Sequence, residues 1–334
     1  MEKTTFKLVV IGILGYSGQI MSLGFETLPI TGFSVASDGS GSHQPVGGVS
    51  QYRLCNTTGN YGSLSVGASL PTTTANNTCA LVPAPPSILS SPESGFFLIA
   101  SANRSIIMSN ALTGGSPISI GNLADAVFRN PTKGECIYAA QVSLATIDYD
   151  ITRIGTQFFH VNGVARGGFA SSGEVSAGYA RVLSVADVVY RIGRTYTSVQ
   201  HRAASLGSGV FALGYYNQPL ISAVTTSING QNTPGLGVPS ASEQSANQNA
   251  NWVEFTTNFY SADSSTSSTS PGSPAFYVRA ACSSTPPITT PNAIRLRQTW
   301  RDQGSFYEFI EVRVDGFVPV GANANPLPVP GSTY

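Results

Sequence analysis

The chain has 334 residues, of which 41% are hydrophobic and only 10% charged, and its formal net charge is +0. That apolar content supports a sizeable core, so global disorder is not expected. Zero net charge gives no pull toward nucleic acid or an anionic membrane. Lys3, Lys7 and Lys133 are the only lysines, and their scarcity argues against long solvent-facing helices, which normally use Lys, Glu and Ala freely. Ser, Thr, Asn, Gln and Gly must cover the surface instead.

In chain order, Lys3 and Lys7 precede an apolar run, Leu8 to Leu14, followed by the small and polar residues Gly15, Ser17, Gly18 and Gln19. A basic start, a short apolar centre and small residues after it form a secretory signal. Residues 1–36 are therefore read as an export segment, with cleavage after Gly24 or after Ala36. The run from Leu8 to Leu23 is interrupted by Ser17 and Gln19 and falls short of the about 20 apolar residues that span a bilayer. The same stretch carries Gly12, Gly15 and Gly18 with Asp38 further on, which imitates a dinucleotide-binding fingerprint. This spacing resembles that of short-chain and semialdehyde-type reductases, and the resemblance implies a cytosolic NAD(P)-dependent reductase. Such a fold needs alternating βαβ units, and the rest of the chain shows almost no amphipathic helix. Export is the reading taken.

Residues 37–125 form a Gly/Ser/Thr-rich β region, in which Pro83 to Pro86 and Pro92 read as a boundary or a stiff loop. Two apolar runs follow, Phe96 to Ala100 and Ile106 to Met108, and then Asn122 to Phe128, the best short-helix candidate. Residues 126–320 form the main β domain, where the pattern settles into a period of two. Cys136, Tyr138, Ala140, Val142 and Leu144 share one face. So do Val253, Phe255, Thr257 and Phe259, then Phe276, Val278, Ala280 and Cys282, then Ile294 and Leu296, and last Ile310, Val312 and Val314. Half-buried antiparallel strands produce this alternation, whereas parallel strands read as continuous apolar runs. Residues 321–334 are a Pro-rich tail.

Cys55, Cys79, Cys136 and Cys282 are an even set without a CxxC motif or zinc spacing. Outside the cytosol such a set is a disulfide framework. Cys55 and Cys79 flank a polar, turn-rich segment, while Cys136 and Cys282 each sit on the apolar face of a strand. Three connectivities are open.

Catalytic chemistry finds little support. No Gly-x-Ser-x-Gly elbow occurs, and His43, His160 and His201 read as structural or surface histidines, so no catalytic residue is assigned. No cofactor is assigned either, apart from one calcium candidate: Asp148 and Asp150 would share a strand face and can bind Ca²⁺ together with loop carbonyls. Trp252, Tyr260 and Tyr277 fall on the faces read as outward, where aromatic rings can stack on sugars.

The expected architecture is all-β, an antiparallel β-sandwich or jelly-roll-like fold with few short helices. The expected role is an exported, non-enzymatic surface or structural protein, secreted, cell-surface or periplasmic, acting through protein–protein interfaces that include self-association. The alternative is a secreted carbohydrate-binding module or glycan-active enzyme. Neither reading involves nucleic acid or an integral membrane segment.

Overall fold

The computed structural model describes residues 24–35, 48–50, 52–55, 79–110, 112–182, 189–196, 227–229, 248–262, 271–298 and 309–322. Among them there is no helix. The strands are β1 (Glu26–Thr27), β2 (Phe33–Val35), β3 (Gly48–Ser50), β4 (Tyr52–Leu54), β5 (Phe97–Met108), β6 (Ile118–Asn130), β7 (Glu135–Leu144), β8 (His160–Gly167), β9 (Val175–Ala180), β10 (Val189–Gly193), β11 (Ser227–Asn229), β12 (Trp252–Tyr260), β13 (Ala275–Ala281), β14 (Ile288–Gln298) and β15 (Phe309–Val318). A six-stranded sheet has the order β1-β9-β13-β7-β6-β5, a seven-stranded sheet the order β11-β15-β14-β8-β12-β10-β4, and β2 pairs with β3 in a two-stranded ribbon. Neighbours run antiparallel except β11 and β15, which are parallel.

The two larger sheets pack face to face as a β-sandwich. Tyr138, Val142, Phe276 and Val278 of the six-stranded sheet meet Val164, Phe255, Leu296 and Val312 of the seven-stranded one in a single core. The rings of Phe255 and Phe276 lie 5.0 Å apart across it. All of these except Val164 are residues that the period of two places inside.

The opposite faces depart from expectation, because much of them is also buried. On the six-stranded sheet, Ala126, Phe128, Ile137, Ala139 and Tyr277 form a second core with Val82 and Phe96, and Phe25 and Ile88 pack against it. The stretch with Pro83 to Pro86 is thus part of a cover over the sheet. Glu93 in this cover bonds Arg279 of β13 at 3.0 Å, and Val82 N donates to Tyr179 O of β9 at 2.9 Å.

Asn122 to Phe128 is the middle of β6, a correction to the short-helix assignment. Leu123 and Val127 enter the main core while Ala126 and Phe128 enter the second one. With apolar residues on both faces from Ala126 to Phe128 the alternation is lost, and the four-residue spacing of Leu123 and Val127 fits either period. β6 also runs across the division placed at residue 125, between β5 and β7. Residues 24–35, read as the end of the export segment, contribute to the folded body: Leu28 is buried, and its N–H donates to Val175 O at 2.8 Å.

Candidate interaction surface

The four cysteines stand as two pairs at disulfide distance, with Cα–Cα separations of 4.7 Å for Cys55 and Cys79 and 5.6 Å for Cys136 and Cys282. The second pair joins adjacent strands. β7 and β13 place Cys136 opposite Ala280, and Cys282 lies one residue past the end of β13, where its N–H donates to Gly134 O at 2.9 Å.

Two of the three aromatics expected to face outward are buried. Trp252 and Tyr277 are each 0% exposed. The Tyr277 ring sits 6.3 Å from Phe25, within the second core, and burial raises its pKa above the ordinary phenol value. Tyr260 is half-buried and meets His160 edge to face at 5.0 Å. His160 Nε2 also donates to Asn258 Oδ1, which makes this histidine part of the framework. His43, His201, Gly12, Gly15, Gly18 and Asp38 lie outside the described residues.

Asp148 and Asp150 serve a loop. Asp148 Oδ1 accepts from Asp150 N and Gln157 N, both at 3.0 Å. Asp150 Oδ1 accepts from Thr152 N at 3.0 Å, and its Oδ2 meets Arg153 Nε at 3.0 Å. Among the described residues no three His, Cys, Asp or Glu side chains stand together as metal ligands.

Charge is concentrated in two structural places. Between the sheets, Arg166 of β8 donates to Asp125 Oδ1 of β6 at 2.7 Å, to Phe317 O of β15 at 2.7 Å and to Ala139 O of β7 at 3.1 Å. Phe317 N donates to Asp125 Oδ2 at 2.7 Å. A buried ion pair of this kind offsets its desolvation through close geometry and further hydrogen bonds, which Phe317 O and Ala139 O supply to Arg166.

On the outer side of the seven-stranded sheet, Glu311 accepts from Arg295 and Arg313 at 3.1 Å each and from Arg297 at 3.0 Å. The Tyr196 hydroxyl donates to Glu311 Oε2 at 3.2 Å. Burial opposes the Glu311 charge, but the three guanidiniums outweigh it and hold its pKa down at about 2. Burial also opposes the Arg297 charge, and there Glu311, Tyr196 and Glu254 outweigh it. For Arg295 burial prevails and lowers the pKa. Its guanidinium stacks 5.3 Å from the Trp252 ring. These groups brace the sheet, and their charges are directed at one another.

The remaining feature is the edge of the six-stranded sheet. β5 is twelve residues long and, among the described residues, pairs with β6 alone. The other terminal strands, β1, β4 and β11, are two or three residues long. β5 opens with Phe97, Leu98 and Ile99, which are 65%, 43% and 40% exposed. Ser101, Asn103 and Ser105 then face solvent, while Ile106 and Met108 are buried. The strand contains no proline, lysine or acidic residue; of the devices that blunt an edge it carries an inward-turned arginine and two register shifts.

Its only charge, Arg104, turns inward. The guanidinium lies 3.6 Å from Asp125 Oδ2 and 5.0 Å from the Phe317 ring, and it donates to Thr289 Oγ1 at 3.3 Å. Register shifts between Leu98 and Ala100 and between Ile106 and Ile107 bound a regular ladder from Ala100 to Ile106. Sequence reasoning saw only the apolar ends of this strand. Its middle, Ala100 to Ile106, alternates small or apolar residues with hydroxyl and amide ones, and that alternation was the available signal.

Searches for a matching protein family, for a similar curated protein and for a similar solved structure found none.

Proposed function

We propose that this chain is an exported, disulfide-stapled β-sandwich that serves as a non-enzymatic surface or structural subunit and acts through protein–protein interfaces. The observation that carries this reading is the β5 edge, a long strand that among the described residues is hydrogen-bonded on one side only and that begins in three exposed apolar residues. Such an edge is a template for strand addition.

Export is supported by the two cysteine pairs, since disulfides persist in oxidising compartments, and by the basic and apolar start of the chain. No helix among the described residues is long and apolar enough to cross a membrane. A role through contacts rather than chemistry is supported by the way Arg166, Asp125, Arg295, Arg297, Arg313 and Glu311 spend their charges on holding strands together. Size-exclusion chromatography with light scattering on the mature protein tests the reading. Association that grows with concentration is the expected result, and a monomer at every accessible concentration would refute it.

A further inference from the structure

We infer that β5 is the seat of self-association, pairing antiparallel with β5 of a second copy about a two-fold axis at Asn103, so that two six-stranded sheets become one. This rests on the interface reading above and names the partner. The first argument is hydrogen bonding. β5 is bonded to β6 on one side, and among the described residues its backbone makes no hydrogen bond on the other side. Backbone N–H and C=O groups are obligatory bonding groups, and a partner strand satisfies a whole row of them at once.

The second argument is charge. No charged side chain of β5 points outward, because Arg104 is held inward by Asp125 and Phe317. An acidic or basic peptide would leave its own charges unpaired along this edge. An uncharged strand fits, and β5 is itself such a strand.

The third argument is the symmetry of the residues within the regular ladder. With Asn103 on the axis, Asn103 faces the partner's Asn103 and Ser101 faces the partner's Ser105. On the core side, Ala100 faces the partner's Ile106 and Ala102 faces the partner's Arg104. The solvent face is then matched in hydroxyl and amide groups, and the core face sets small against large. Beyond the ladder, the exposed apolar start of one strand runs toward the apolar end of the other. A two-fold contact uses the same patch on both copies and closes on itself, so the product is a dimer and not a fibre.

Charge placement at Ser101 and Ser105 tests this, since both side chains are exposed and neither lies in a core. In the Ser101→Lys/Ser105→Lys double variant, Lys meets Lys twice across the axis. Like charges directly opposite destabilise a strand pair, and two such pairs are expected to raise the dimer dissociation constant about tenfold at low salt. In Ser101→Lys/Ser105→Glu, each Lys meets a Glu, and dimerisation is expected to stay within about threefold of the parent protein. Asn103→Cys is expected to give a disulfide-linked dimer on mild oxidation, with the 103–103 bond found by peptide mapping. Strands directly opposite place Cα atoms about 4.5–5.5 Å apart, within disulfide reach. Thermal midpoints of the two double variants control for folding.

If the parent protein associates but both double variants associate equally well, or Asn103→Cys gives no 103–103 link, another surface is used and this inference falls while the interface reading stands. If the two double variants lose association equally, the antiparallel register is wrong and the inference falls. If the parent protein is a monomer throughout, both fall.

Discussion

Glu311 sits beneath three guanidiniums and the Tyr196 hydroxyl on the outer side of the seven-stranded sheet. Its carboxyl has a pKa of about 2 in the fold against an ordinary 4.5. A depressed folded-state pKa contributes stability that is complete above the unfolded value and is lost as pH falls toward the folded one. The loss expected between pH 4.5 and pH 2 is about 3 kcal/mol, at about 1.4 kcal/mol per unit. Glu311→Gln should be less stable than the parent at pH 7, and the two should converge as pH approaches 2. Urea unfolding across that range measures it. Asp125 faces Arg166 in the core between the sheets, so Asp125→Leu strands a buried guanidinium and should cost about 3–5 kcal/mol. Adding Arg166→Met should recover much of that loss, because removing both partners leaves no uncompensated charge. These residues were invisible as a group in the sequence. Arg295, Arg297 and Arg313 alternate with apolar residues on two separate strands, and only the pairing of β14 with β15 gathers them, buried, around one carboxylate.

At the level of strands, the period of two located β7, β12, β13, β14 and β15 and oriented their core faces. It did not reveal that β6 is a strand, since apolar residues on both faces erase the alternation. Nor could it reveal the cover over the six-stranded sheet, because Val82 and Phe96 reach Tyr277 from far along the chain. Packing on the other sheet is equally close. A Cβ at Gly167 of β8 would stand 2.9 Å from the Trp252 ring, so Gly167→Ala should destabilise by about 1–3 kcal/mol, as overpacking does. The Cys136–Cys282 link closes a sequence separation of 146 residues between neighbouring strands. Replacing both with Ser should cost about 3–5 kcal/mol on the chain-entropy account, read from the denaturation midpoint.

For the whole molecule, the N-terminal boundary carries a direct test. Gly24 N donates to Leu81 O at 2.9 Å, Glu26 and Thr27 pair with β9, and Leu28 is buried. Export cleavage after Ala36 would remove all of these contacts, while cleavage after Gly24 would spare β1 and Leu28. On the proposed export reading, N-terminal sequencing of the mature protein should therefore give a start no later than Phe25. The candidate site was only half legible in the sequence. Composition pointed to a surface poor in charge, but which strand ends a sheet depends on long-range pairing order, which spacing along the chain does not encode.

The inward turn of Arg104 has one more consequence. In the seam proposed at β5 the Arg104 charge is already held by Asp125 of its own copy, which leaves little across the seam for dissolved ions to screen. If β5 pairs with β5 of a second copy as proposed, raising sodium chloride should leave the two halves together, whereas modest urea, which solvates peptide and hydrocarbon alike, should part them well before either half unfolds.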